Sequence, residues 1–99
     1  MESENLWSEN RKLCRICLRV DPLSQDIFTS LYVERDTLYC DILVYCTKFN
    51  LHPKDGLPPY LCRNCIQHLE DMYEFHLECE ESEKNFLWFL CGLRYRNNQ

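Results

Sequence analysis

The chain has 99 residues, a formal net charge of −5, eight cysteines and only two glycines. This length suits one small domain with a marginal core, which a disulfide, a metal or a partner chain is expected to reinforce. The negative charge disfavours binding to a phosphate backbone, and no apolar run approaches the roughly 18 residues of a membrane span.

The first residues of the chain, MESENLWSENRK, are polar and lack the apolar stretch of a secretion signal. Residues 1–11 are predicted to be a flexible tail. Without a secretion signal we expect a reducing compartment, the cytosol or the nucleus. There, paired cysteines are metal ligands or redox groups before they are disulfides.

The frame Cys-Arg-x-Cys occurs twice with an apolar residue on each side, as LCRICL and as LCRNCI. Two cysteines separated by two residues can hold one edge of a zinc tetrahedron, and two such pairs complete the site. Arg15 and Arg63 are expected to offset the negative charge of a zinc ion with four thiolates, or else to face solvent. We predict one structural zinc ion per chain, with the ligands Cys14, Cys17, Cys62 and Cys65.

Between the two cysteine pairs the sequence predicts a short strand, a helix and a loop. The apolar pair at residues 27–28 is the strand candidate. Apolar residues then recur at three- and four-residue steps, which predicts a helix over residues 37–49 with Asp36 or Thr37 as its cap. Three prolines and a glycine end the helix between residues 50 and 59.

From Arg63 onwards the chain carries its longest helical pattern, without proline or glycine until Gly92. About 30 helical residues would reach about 45 Å, which exceeds the width of a domain of this size. Part of the helix is therefore expected to project, and its far end, NFLWFLCGL, is too apolar to remain in water without a partner. We predict a two-fold dimer in which some of these side chains pack on the partner and others on the subunit's own core. The predicted interface residues are Phe86, Leu87, Phe89 and Leu90.

The remaining cysteines indicate no second metal site. Cys46 and Cys79 lie on apolar helical stripes and are predicted to be small core residues. The second cysteine pair alone also suits a disulfide oxidoreductase, but that fold needs a parallel sheet, and the chain has few strand-like runs. The sequence contains no nucleophile with a general base and no phosphate-binding loop. We therefore do not predict an enzyme.

A series of features occurs in one order along the chain: LCRICL, the helix around residues 37–49, Leu57-Pro58, LCRNC, and a long helix with Phe75, Cys79 and Ser82. Over about residues 12–92 this series resembles the zinc-finger-associated domain of insect zinc-finger transcription factors. The resemblance implies a small α+β zinc-stabilised domain with treble-clef-like zinc knuckles, one short helix and one long C-terminal helix. The domain is expected to span residues 12–93, and residues 94–99 are expected to lead into a linker.

The resemblance also implies a function. In that family the domain is a homodimerisation module whose two helices carry the interface, and it usually precedes zinc fingers that read DNA. The chain is then a zinc-binding homodimerisation module of a nuclear transcription or chromatin-architecture factor, whose DNA is read outside these residues. The domain itself is expected to contact neither nucleic acid nor membrane, while nuclear cofactor proteins are further candidate partners. The alternative is a zinc-dependent adaptor that binds a different protein.

The long helix is strongly acidic, and this acidity has two interpretations. Its carboxylates form a solvated face, or they lie at the rim of a dimer opposite Arg94 and Arg96 of an antiparallel neighbour. Either interpretation disfavours contact with a phosphate backbone.

Overall fold

The computed structural model describes residues 11–97, with side chains described as far as Gly92. The predicted tail, except for Arg11, and the side chains of residues 94–99 lie outside this range. The described residues measure 75 × 22 × 21 Å and form a small α+β body from which one helix projects. In chain order the elements are β1 (Gln25–Asp26), β2 (Leu31–Tyr32), a 3-10 turn (Val33–Arg35), β3 (Thr37–Leu38), α1 (Tyr39–Thr47), β4 (Tyr60–Leu61) and α2 (Arg63–Asn97).

Two short antiparallel strand pairs shape the body. β1 pairs with β4, which places the segment after the first cysteine pair beside the residues that lead into α2. β2 pairs with β3, and the left-handed residue Asp36 precedes the second strand of this pair. The strand predicted at residues 27–28 is wrong, because the strand occupies the two preceding residues. Ile27 instead turns into the core and donates its N–H to the carbonyl of Pro59 at 2.9 Å.

α1 is two residues shorter at each end than the sequence predicts. Neither predicted capping side chain is used: the residue before the helix is Leu38, which makes no side-chain capping bond. The helix begins late because the two preceding residues pair in β3. It ends where Lys48 adopts a left-handed φ of 64° and its N–H closes the last turn on the carbonyl of Val44. Phe49 therefore lies beyond the helix and is exposed.

The core lies between the two strand pairs, α1 and the first turns of α2. Four of its side chains have almost no exposed surface: Cys14, Ile27, Ile42 and Leu61. α2 adds Ile66 and Leu69, while Cys46 is partly buried against this cluster, as predicted. The core is small and includes two of the paired cysteines, Cys14 and Cys62.

Hydrogen bonds from tyrosines hold α2 against the body. Three of them reach carboxylates of the long helix: Tyr39 donates to Glu70 at 2.6 Å, Tyr32 to Glu74 at 2.8 Å, and Tyr45 to Glu80. Arg35 also pairs with Glu74, and this guanidinium, followed by the Tyr32 hydroxyl, lowers the pKa of Glu74 to about 2. Glu70, Glu74 and Glu80 therefore attach α2 to the body, so this part of the acidic helix is not a solvated face.

Aromatic rings fill the space beneath these hydrogen bonds. The ring of Tyr73 meets those of Tyr32 and Tyr45 edge-on, at centroid distances of 6.3 and 5.6 Å. His76 packs on Tyr45 one turn further along, at 5.5 Å. The direction of α2 relative to the body is thus fixed by ring packing and by charge-assisted hydrogen bonds together.

Beyond Leu77 the long helix leaves the core, although Tyr45 of the body still donates to Glu80, and every described side chain from Glu78 to Cys91 is exposed. This part runs to Asn97, so the projection is about 30 Å long. Gly92 does not end the helix. Cys79 is exposed, so its predicted place in the core is wrong. Met72 and Phe75 are exposed on the same helical face beside the body, so this face of α2 points away from the core.

The apolar end of α2 contacts no part of its own subunit's core. Phe86, Leu87, Phe89 and Leu90 are all at least half exposed, and Trp88 is 80% exposed. The expectation that some of these side chains pack on the subunit's own core is therefore wrong. The reason is geometric, since the half-buried side chains His76 and Leu77, after which every described side chain as far as Cys91 is exposed, lie more than two helical turns earlier.

We expect that Ile42→Ala lowers the free energy of unfolding by about 2–5 kcal/mol, because it opens a cavity at a fully buried position. Urea unfolding of the zinc-loaded protein would measure this. Val33→Ala, at a position of the body that is 82% exposed, is the control and should cost less than about 1 kcal/mol. Equal losses for the two variants would contradict the described core.

Candidate metal centre

The first cysteine pair lies in a tight loop closed by backbone hydrogen bonds. Leu13 and Val20 form an antiparallel bridge at its base. Within the loop, Cys14 donates its N–H to the carbonyl of Arg19 at 2.8 Å, and Leu18 donates to the carbonyl of Cys14 at 3.1 Å. The N–H groups of residues 16 and 17 point at the Cys14 sulfur, at 3.4 and 3.5 Å. This loop is the zinc knuckle that the sequence predicts.

The second cysteine pair is placed by the junction between a strand and a helix. β4 ends at Leu61 and α2 begins at Arg63, so Cys62 precedes the helix and Cys65 lies in its first turn. The positive end of the helix dipole therefore lies beside these sulfurs, where it offsets part of the negative charge of a zinc ion with four thiolates.

Backbone pairing brings the two knuckles together. Cys14 forms a parallel bridge with Tyr60, and the N–H of Arg15 donates to the carbonyl of Tyr60 at 2.7 Å. The first knuckle is thereby fixed against the strand that leads into the second. The treble-clef-like arrangement follows from this contact.

The four sulfur atoms have the spacing of a tetrahedral zinc site. All of the Sγ atoms of Cys14, Cys17, Cys62 and Cys65 lie within 4.8 Å of one another. The Sγ atoms of Cys17 and Cys62 are 3.6 Å apart. A tetrahedron with zinc–sulfur bonds of about 2.3 Å has edges of about 3.8 Å, so the set fits one zinc ion. Among residues 11–92 this is the only group of three or more such side chains that could hold a metal.

The local environment shifts the pKa values of Cys14 and Cys65 in opposite directions. Burial raises the pKa of Cys14, but backbone N–H groups from Cys17, Cys62 and Ile16 outweigh it, and the pKa falls to about 7. Burial, followed by hydrogen bonds with the neighbouring thiols, raises the pKa of Cys65 well above its usual range. A zinc ion must displace the remaining protons, so zinc binding weakens as the solution becomes more acidic.

The two arginines of the repeated frame each pair with a carboxylate. Arg15, whose side chain is 8% exposed, pairs with Asp55 and donates to the carbonyl of Pro58 at 3.1 Å. The Nε of Arg63 lies 3.0 Å from Asp21. The helix dipole and the backbone N–H groups supply positive potential at the sulfurs. Each ion pair fastens one knuckle to the other half of the body.

Sequence reasoning missed both aspartates. Asp55 lies 40 residues from Arg15, and Asp21 lies 42 residues from Arg63. Both carboxylates stand in turns without periodic pattern, so no local signal connects them with the arginines. The hydrogen bond from Arg15, together with backbone N–H groups, lowers the pKa of Asp55 to about 2, which keeps this pair ionised in neutral solution.

A family model described as the zinc-finger associated domain matches residues 13–87. The match spans both knuckles, the body and the first part of the projection. No curated protein and no solved structure matches the chain. In the described part of the chain, no helix combines the length and the apolar character needed to cross a membrane.

We expect Cys62→Ser to abolish tight zinc binding and to unfold the domain, because zinc in small finger peptides contributes on the order of 10 kcal/mol. Zinc per chain by native mass spectrometry and helix content by circular dichroism would measure both effects. Cys79→Ser, at an exposed position outside the cluster, should keep full zinc content and the original helix content. A Cys62→Ser protein with normal zinc content and melting would refute the site.

Proposed function

The chain belongs to the zinc-finger associated domain family, and on that premise we propose that it is a zinc-binding homodimerisation module of a nuclear DNA-binding transcription or chromatin-architecture factor. The family is one of protein-interaction domains and not of enzymes. The observation that carries the proposal is the apolar, exposed end of α2. Nuclear localisation follows from the same proposal, since DNA would be read by zinc fingers elsewhere in the protein.

A regular apolar seam on the outer side of α2 supports a helical partner. Phe75 is 64% exposed, and the side chains at the same helical face are apolar or small. Steps of three and four residues form a heptad pattern, which keeps one seam directed at a partner helix in a left-handed pairing. The seam consists of Met72, Phe75, Cys79, Ser82, Phe86 and Phe89.

The inner side of the projection supports an antiparallel arrangement. Five turns of helix take 18 residues, so Leu87 lies on the same side as Leu69, which packs on the body. At the height of Leu87 its own subunit offers no surface. A parallel pair of helices would cover only the outer seam. An antiparallel two-fold pair places the partner's body beside each projection and covers both sides.

α1 offers a surface for that contact, because Val44 and Phe49 are exposed on the body. We therefore propose that α1 and α2 together form the interface. Burial of a large apolar side chain contributes about 1.5–3 kcal/mol. Two or three of Phe86, Leu87, Phe89 and Leu90, counted twice by symmetry, suffice for micromolar or tighter association after the entropic cost.

Aspartates at both Phe86 and Leu90 should yield a folded, zinc-loaded monomer, because two charges cannot be buried in an apolar interface. Sedimentation at low micromolar concentration would report the mass, and native mass spectrometry the zinc content. Aspartates at Val33 and Leu57, two exposed apolar positions of the body, form the matched control and should leave a dimer.

Two outcomes of this experiment would contradict the proposal. A Phe86/Leu90 variant that remains dimeric would mean that the interface lies elsewhere. A monomeric starting protein would favour the adaptor function, in which the apolar end of α2 binds a different protein.

We also propose that this domain does not read DNA. Its net charge is −5, and a zinc ion with four thiolates adds further negative charge. Fluorescence anisotropy with a labelled duplex at physiological salt should give no sub-micromolar binding. Sub-micromolar affinity that falls steeply with added salt would overturn this part of the proposal.

A further inference from the structure

The zinc end of the protein carries a second exposed apolar surface, far from the end of α2. It lies in and just after the first knuckle and consists of Ile16, Leu18, Val20 and Leu23, all exposed. We refer to these four residues as the knuckle surface. α2 begins at the zinc site with Arg63, and the proposed dimer anchors follow 23–27 residues later, so about 35–40 Å of helix separates them from this end of the molecule.

The backbone of Leu18 indicates that this surface is not required by the fold. Leu18 has a φ of 67°, in the left-handed region that favours glycine and is rare for a bulky residue. The turn needs that conformation, because the N–H of Leu18 closes it on the carbonyl of Cys14. It does not need a leucine, whose side chain is 69% exposed and packs on little of its own subunit. Unfavourable backbone conformations of this kind are characteristic of binding sites.

The charge around the knuckle surface is opposite to that of the whole chain. Residues 11–19 contain four basic side chains and no acidic one, within a chain of net charge −5. Arg19 is exposed between Leu18 and Val20, and it makes no ion pair within residues 11–92. The potential at this surface therefore favours a negatively charged partner.

A cleft of about 430 Å³ adjoins the knuckle surface, between the first knuckle and the start of α2. Its lining includes Arg19, Val20, Pro22 and Arg63, so apolar and basic groups alternate around it. This volume accommodates one or two side chains and suits a short segment better than a globular surface. Asp21 also lines the cleft, where it pairs with Arg63, so Arg19 is the basic group of the lining that makes no ion pair within residues 11–92.

We propose that the knuckle surface and the adjoining cleft bind a short acidic peptide segment with large apolar side chains, supplied by a protein other than this chain. The apolar side chains of the segment cover the knuckle surface, and its carboxylates lie beside Arg19 and the exposed guanidinium of Arg63. The site shares no residue with the dimer interface proposed above, which consists of α1 and the outer seam and end of α2. A chain that pairs through α2 would then carry one such site on each subunit.

A labelled synthetic peptide, in which Asp and Glu alternate with Leu and Phe, tests the proposal with the zinc-loaded protein. Anisotropy titration should show saturable binding. In spectra of the ¹⁵N-labelled protein, the amides of residues 15–23 and 62–64 should shift. Peptides with the acids changed to Gln, or with the apolar residues changed to Ser, should bind more weakly.

Two variants define the site. Leu18→Gly relieves the backbone and removes the side chain, so zinc content and melting should be unchanged while peptide affinity falls about tenfold or more. Arg19→Glu should weaken binding and remove most of its salt dependence, and it keeps the test decisive if the first variant fails to fold. Val33→Ala, at a position that is 82% exposed elsewhere on the body, is the control and should bind normally.

Several results would overturn the proposal. One is the absence of binding, and another is unaltered affinity in both variants. Amide shifts at residues 84–92 instead of the knuckle would assign the peptide to the end of α2. Duplex DNA that shifts the knuckle amides at lower concentration than the peptide would identify a nucleic-acid site. A change of oligomeric state in Leu18→Gly would identify a second copy as the occupant.

Discussion

The architecture depends on one constraint, the convergence of two cysteine pairs on a single tetrahedral site. Cys17 and Cys62 are 45 positions apart in the chain, yet their sulfurs lie 3.6 Å apart. A cross-link that closes a loop of that size removes conformational entropy from the unfolded chain. This stabilises the folded state by about 4 kcal/mol, in addition to the free energy of the metal bonds. Because the metal bonds join the first knuckle to the start of α2, they fix where the long helix begins, and the small core closes around them.

A second set of contacts fixes the direction in which α2 leaves the zinc site. The hydrogen bonds from Tyr32, Tyr39 and Tyr45 to carboxylates of α2 extend over the first half of the helix, and Tyr73 packs between two of those rings. The projecting half is therefore a rigid extension of the body. A preorganised helix loses less entropy on association than a flexible segment would, which favours its use as an interface. The apolar side chains at its end and those of the knuckle surface belong to separate sets of residues, so the two surfaces can engage different partners.

Local patterns located the elements well and their ends less well. The helix over residues 37–49 exists, but its ends are set by the pairing of β3 and by the left-handed residue Lys48. The strand near Ile27 is displaced because that residue's N–H is bonded to Pro59, a contact between distant segments. Cys79 lies on the expected stripe, yet its side chain is exposed. Periodicity reports which side chains share a face, but not whether anything covers that face.

The sequence alone determined the zinc ligands, the long helix and its apolar end. Coordination chemistry permits few spacings of cysteine, and a run without proline or glycine leaves the backbone few alternatives to a helix. Tertiary structure alone decided the carboxylate partners of Arg15 and Arg63, the attachment of α2 through glutamates, and the left-handed backbone of Leu18 beside a basic cleft. These features depend on the path of the chain between residues some 40 positions apart. No local pattern encodes that path, because it follows from the closure of the metal site and the packing of the core around it.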